Sequence, residues 1–184
     1  MKLHFVTKNT NEQKIAAFDT AVQTLFPHAG RSIVLFKNEF DARPLRREEI
    51  ERAAHENARR LLSEIRNNYP NEKGVFVIMI QKGTNLMDDE NNCLLLCSVA
   101  IHSIDTTIEL FICSDEEVNI PPQMRTLVHS GMELYQAWQT VLGDAFQNGK
   151  GSPFEIQTGR SEINWIRFTI EKALGELKKK LNIA

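Results

Sequence analysis

Leu3-His4-Phe5-Val6-Thr7 runs directly into Lys8-Asn9-Thr10-Asn11-Glu12-Gln13-Lys14. The first five residues alternate as a strand does, and the next seven form a polar turn. Ile15, Phe18, Val22 and Leu25 then recur at helical spacing. Thr10 or Asn9 is placed to cap this helix, and Pro27 to stop it. A polar turn between a strand and a helix N-terminus presents backbone N–H groups and the positive end of a helix dipole. That combination suits an anion. Lys8, Asn9, Thr10, Asn11 and Lys14 are therefore candidate phosphate-binding residues. Lysine supplies charge and asparagine a directional donor. A plain capped helix with a solvated lysine accounts for the same residues. The glycines of a P-loop are missing.

Outward from this turn, the pattern alternates strands and helices. Ile33-Val34-Leu35-Phe36 suits a short strand. A helix is expected over 47–67, with Ile50, Ala54, Leu61, Leu62 and Ile65 on one face. Val75-Phe76-Val77-Ile78-Met79-Ile80 has no polar alternation, as in a strand buried on both faces. Leu94-Leu95-Leu96 with Val99, a turn at Ser103-Ile104-Asp105-Thr106, and a run from Ile108 to Cys113 predict a hairpin. Helices are expected over 123–129 and 133–142, a loop over 147–159, and a last helix over 162–181. The order predicts an α/β fold with a mixed sheet and flanking helices, in one domain over 1–184.

Composition bounds the function. An apolar fraction of 42% and a charged fraction of 25% are those of an ordinary globular protein. A net charge of −2 argues against a broad nucleic-acid surface. No apolar run is long enough to span a bilayer. Cys93, Cys97 and Cys113 show neither zinc spacing nor a disulfide framework, so buried free thiols in a reducing, cytoplasmic setting are expected. The five histidines show no metal-binding spacing.

Three further stretches can carry chemistry. In Arg43-Pro44-Leu45-Arg46-Arg47-Glu48-Glu49 the adjacent Glu48 and Glu49 can hold a magnesium ion, and the arginines can fork onto phosphates. Taken alone, the stretch is more simply a surface ion-pair cluster at a helix start. Gln81-Lys82-Gly83-Thr84 follows the most buried strand, and ligands of open α/β sheets bind at strand ends. Lys82 and Gly83 are candidate phosphate contacts there. In Gly149-Lys150-Gly151-Ser152, glycines beside a lysine let backbone approach a phosphate. A surface loop fits that stretch as well.

Taken in order, these segments resemble the house-cleaning triphosphatases that act on inosine and xanthosine triphosphates, within the inosine-triphosphatase-like fold. Asn9-Thr10-Asn11-Glu12-Gln13-Lys14 is similar to the family's first turn. Arg43-Pro44-Leu45-Arg46-Arg47-Glu48-Glu49-Ile50 is similar to the segment opening its second helix, followed by Ala53, Ala54 and Ala58. Ile120-Pro121-Pro122, Gly131-Met132-Glu133-Leu134 and Lys150-Gly151-Ser152 match later family segments. The resemblance implies two lobes around a nucleotide cleft and a possible homodimer. It implies hydrolysis of a purine nucleoside triphosphate with Mg2+ or Mn2+, with Glu48 and Glu49 on the metal. Lys150, Gly151 and Ser152 would lie at the distal part of the nucleotide. It also places Glu49 and Gln81 at catalytic positions. Gln81 stands where the family has a glutamate, and an amide is no general base. Arg47 stands where the family has an acid, and Thr158-Gly159-Arg160-Ser161 is a weakened form of another family stretch. These departures point to an alternative: a catalytically impaired member that binds nucleotide or protein.

Overall fold

The opening stretch forms β1 (His4–Lys8), buried at Phe5, Val6 and Thr7. The computed structural model describes residues 3–34, 46–86, 94–114, 118–147 and 151–183. Leu35, Phe36, Arg43, Pro44, Leu45, Asn91, Asn92, Cys93, Gly149 and Lys150 lie outside the described residues, as do Asp88-Asp89-Glu90 and Asp115-Glu116-Glu117. Expectations that rest on them have no structural counterpart.

After β1 come α1 (Glu12–Leu25), β2 (Gly30–Val34) and α2 (Arg47–Asn68). Next are β3 (Val75–Asn85), β4 (Leu94–Ser103), β5 (Glu109–Cys113) and the two-residue β6 (Val118–Asn119). The helices α3 (Pro122–His129), α4 (Leu134–Leu142), α5 (Asp144–Gln147), α6 (Pro153–Thr158) and α7 (Glu162–Leu181) complete the chain. The strand order is β2-β1-β3-β4-β5, with β6 pairing β4. β1 is parallel to β2 and β3, whereas β3–β4 and β4–β5 are antiparallel. The sheet is mixed, as the element order predicts.

Alternation along the strands sorts side chains to two faces. Phe5, Phe76, Ile78, Ile80, Cys97, Val99 and Ile101 pack with α1 and α7. Val6, Val75, Val77, Met79 and Ala100 pack with Ala54, Ala58, Leu61 and Leu62 of α2. Burying a branched or aromatic side chain contributes about 1.5–3 kcal/mol, so these two layers hold the helices in place. A third cluster joins Leu86 to α3 and α4 through Ile120, Met124, Ala137 and Trp138.

Two expectations change. Gln81 to Thr84 do not leave the sheet. β3 continues to Asn85, and Lys82, Gly83 and Thr84 pair with Cys97, Leu96 and Leu95. The apolar partner strand keeps the ladder going through a polar segment. Residues 147–159 are not all loop, because α6 lies within them. Ser152 and Glu155 form a reciprocal capping box and Pro153 sits in the first turn, which suffices to start a short helix.

Candidate functional site

The first turn is shaped by its own asparagines. Asn9 is buried, and its Oδ1 accepts from the Asn11 backbone N–H at 3.0 Å. Asn11 Oδ1 accepts from the Lys14 N–H at 3.0 Å, which makes Asn11 the helix cap in place of Asn9 or Thr10. Each carbonyl oxygen is thus used internally, and the Nδ2 groups carry these residues' remaining donor capacity. Thr10 is exposed. Lys8 alternates to the α2 face, where its ammonium meets the Glu64 carboxylate at 2.9 Å. A lysine already paired in this way is a weaker phosphate candidate than the sequence suggests.

Lys14 takes a different place. The register of β1 on β3 ends at Val6↔Val77, so β3 runs on past β1. There the Lys14 ammonium donates to the Ile80 carbonyl at 3.0 Å. It satisfies a strand edge that β1 has left. Burial, and then the neighbouring Lys82 charge, push the Lys14 pKa down to about 8, against the pull of Glu162.

Lys82 follows Ile78 and Ile80 on the α1–α7 face, and its ammonium lies 2.7 Å from Oε1 of Glu162. Glu162 opens α7 and is only 3% exposed. Its backbone N–H donates to Glu155 Oε1 at 3.2 Å, while Glu155 Oε2 accepts from Ser152 N–H at 3.1 Å. One carboxylate therefore ties the start of α6 to the start of α7. Gly151 is required beside it. Its φ is +142°, and a Cβ there would lie 3.0 Å from Glu155 Oε2. The structure thus brings Lys14, Lys82, Gly151 and Ser152 into one connected cluster. Glu155 and Glu162 join it, and neither was a candidate from the sequence. The S-x-x-E spacing of Ser152 and Glu155 was a visible cue for the first. Nothing in the sequence marks Glu162 as buried.

The cluster is polar and incompletely satisfied. Thr7 Oγ1, Thr84 Oγ1 and Glu162 Oε2 are buried without a hydrogen-bond partner. Buried polar atoms are nearly always paired, so such a group implies a further polar occupant. Two ammonium groups stand with two carboxylates, of which Glu162 meets Lys82 directly and Glu155 is taken up by backbone N–H groups. Cys97 pairs with Lys82 across the strands, and burial pushes its thiol up to about 12, so it stays neutral. Cys97 is a buried free thiol and Cys113 a half-buried one.

The remaining candidates lie on the other side. Gln81 follows Val77 and Met79 on the α2 face, and its Nε2 donates to the Lys82 carbonyl at 3.1 Å. Gly83 is half-buried in β3. Glu48 is exposed and Glu49 half-buried in the first turn of α2. Among the described residues, the group with three ligand atoms in mutual metal-binding reach is His55, His102 and Glu109, not one built on Glu48 and Glu49. Sequence spacing missed it because its members come from three separate elements.

The fold has a known counterpart. The crystal structure of protein VC0702 from Vibrio cholerae superposes with a TM-score of 0.73 at 17% identity. The match covers 96% of this chain and 95% of that one. At that identity the likeness establishes the mixed α/β architecture and nothing about activity. No protein family and no curated protein matches the sequence. Among the described residues no helix is long and apolar enough to cross a membrane.

Proposed function

We propose that this chain binds a purine nucleoside triphosphate and hydrolyses it in the house-cleaning manner, with inosine and xanthosine triphosphates as substrates. The observation that carries the reading is the Lys14–Lys82 pair beyond the end of β1, with Lys14 on the Ile80 carbonyl. A polyphosphate brings acceptor oxygens for the two ammonium groups, of which Glu162 directly counters only one. Lys14 and Lys82 would hold phosphate oxygens, and the Asn9–Asn11 turn would fix the approach. The Gly151–Ser152 backbone would face the distal part of the nucleotide. The cleft would lie between the sheet and the α3–α4 cluster, the second lobe of this reading. A cytoplasmic homodimer belongs to the same proposal.

Glu48 and Glu49 offer hard carboxylate oxygens of the kind that Mg2+ or Mn2+ takes together with phosphate oxygens and water, and on this reading the polyphosphate would have to reach from the lysine face of the sheet to the start of α2. Held there, such an ion would neutralise charge on the transferring phosphoryl group. Glu49 would orient the attacking water. A second reading, nucleotide binding without turnover, is favoured by Gln81. An amide accepts no proton at neutral pH, and losing a catalytic group can remove turnover while binding survives.

The test measures phosphate release from inosine and xanthosine triphosphates with Mg2+ or Mn2+, by native protein and by Gln81→Glu. Turnover by native protein is expected on the first reading. Binding without turnover, with turnover gained by Gln81→Glu, is expected on the second. Absence of nucleotide binding by either protein overturns both.

A further inference from the structure

A second polar cluster lies away from the lysines. His102 and Glu109 are a register pair on antiparallel β4 and β5, and His55 reaches them from α2. His102 is five positions along β4 from Cys97, the partner of Lys82. At ~3.3 Å per residue that separates the two clusters by roughly 16 Å along the strand. They also occupy opposite faces of the sheet, so the inference is independent of the nucleotide reading.

The distances are short. His55 Nδ1 lies 2.8 Å from His102 Nε2. Glu109 Oε1 lies 3.4 Å from His102 Nδ1. One nitrogen or oxygen from each residue falls within 4.8 Å of the other two. Arg59, one turn after His55, donates to Glu109 Oε2 at 3.2 Å and so fixes which carboxylate oxygen faces the histidines. Phe111 walls the other side, its ring 5.5 Å from that of His55.

The hydrogen bonding of this cluster does not close. His102 is 1% exposed, and its Nδ1 has no hydrogen-bond partner. If His102 donates from Nε2 to His55, its bare Nδ1 faces a carboxylate oxygen, lone pair against anion. If the proton is on Nδ1 instead, it faces the Glu109 carboxylate at 3.4 Å outside hydrogen-bond geometry, so the donor is only weakly answered. A cation bound by His55 Nδ1 and His102 Nε2 takes the two lone pairs that meet at 2.8 Å and leaves the His102 Nδ1 proton toward the carboxylate.

We propose that His55, His102 and Glu109 form a binding site for one divalent transition-metal ion, with Zn2+ the best fit. Two imidazoles and one carboxylate are a borderline donor set, which suits Zn2+ and is poor for Mg2+ or Ca2+. Tetrahedral Zn2+ with bonds of about 2.0–2.1 Å holds its ligand atoms ~3.3 Å apart. The imidazole pair is already near that spacing. The remaining closure falls on Glu109, whose half-exposed carboxylate has to swing from the Nδ1 side of His102 to the ion at Nε2. Three protein ligands leave a fourth position for water. The Arg59 contact is the outer support that ligating carboxylates use. The ion would tie α2 to the β4–β5 hairpin.

The test titrates tag-free, full-length protein with Zn2+ by calorimetry and with Co2+ by visible absorption. Native protein, His55→Gln, Glu109→Gln and Glu49→Gln are compared. Native protein is expected to bind a single Zn2+, to show Co2+ ligand-field bands, and to melt at higher temperature with Zn2+. His55→Gln and Glu109→Gln are each expected to lose about tenfold or more in Zn2+ affinity, and Glu49→Gln none. Glu109 is exposed enough that its variant should fold even if His55→Gln does not. No Zn2+ binding by native protein overturns the site. So does binding that survives both ligand variants, or binding that is lost in Glu49→Gln. None of these outcomes depends on nucleotide turnover.

Discussion

Replacing Glu162 with alanine is expected to destabilise the protein by about 3–5 kcal/mol, the range for breaking a buried ion pair. For a chain of this size that lowers the melting temperature by roughly 6–20 °C. The carboxylate is 3% exposed and sits 2.7 Å from the Lys82 ammonium, whose side chain is 24% exposed. Removing it leaves Lys82 and Lys14 facing each other without a counter-charge. It also removes an acid from the first turn of α7, where the helix dipole favours one. The magnitude describes the loss of one partner and not the net worth of the pair. Glu162→Gln keeps an acceptor for Lys82 and should lose less. Adding Lys82→Met to Glu162→Gln should recover part of the loss, because the stranded charge goes too. Thermal melts of these three variants and of Lys82→Met alone check this. A loss under about 1 kcal/mol in Glu162→Ala, or simple additivity in the double variant, removes Glu162 from the centre of the cluster. Inorganic triphosphate should raise the melting temperature of Glu162→Ala more than that of native protein, since the anion then has two uncompensated ammonium groups to answer.

The elements that a sequence shows well are those whose side chains follow one period. β1, β3 up to Ile80, α2 and α7 are of this kind, because each buries a regular stripe or a continuous apolar run. The second half of β3 was not legible. Gln81 and Lys82 look like a strand end, and only the register with Leu94 to Cys97 shows that pairing continues. α6 was legible in principle, since Ser152 and Glu155 have capping-box spacing, but the glycines around Lys150 read as a loop. For the site, the first turn identified Lys14 and Asn11 and the strand run identified Lys82. Their third partner could not be found by pattern. Glu162 looks like any acid in the first turn of a helix, and its burial follows from α6 folding against α7. The His55–His102–Glu109 group is hidden for the same reason, since no spacing along one element joins α2, β4 and β5. Lys8 shows what spacing along one element cannot, a cation that meets Glu64 across 56 residues.

Lys14→Met is expected to weaken triphosphate binding about 100-fold, on the order of 3 kcal/mol, the upper range for one hydrogen bond to a charged group. It should also remove a distinctive pH dependence. The folded pKa of Lys14 is about 8, below the ordinary 10.5, with burial the main cause and Lys82 the second. Between these two values the unfolded chain holds the Lys14 proton and the folded chain does not. Stability of the free protein therefore rises with pH across that window, and the penalty for the buried charge is fully present below pH 8. An anion reverses the local balance. It favours the charged ammonium and lifts the pKa, so binding above pH 8 must draw a proton from solution. A triphosphate is already fully ionised there and does not supply it. Affinity should consequently fall by up to about tenfold per pH unit above pH 8, until the pKa of the complex is reached. Calorimetry at pH 8.5 to 9 in two buffers of different ionisation heat would show the uptake in native protein and its absence in Lys14→Met. Equal uptake in both proteins would assign the proton to another group. No uptake in either would mean that the anion does not reach Lys14.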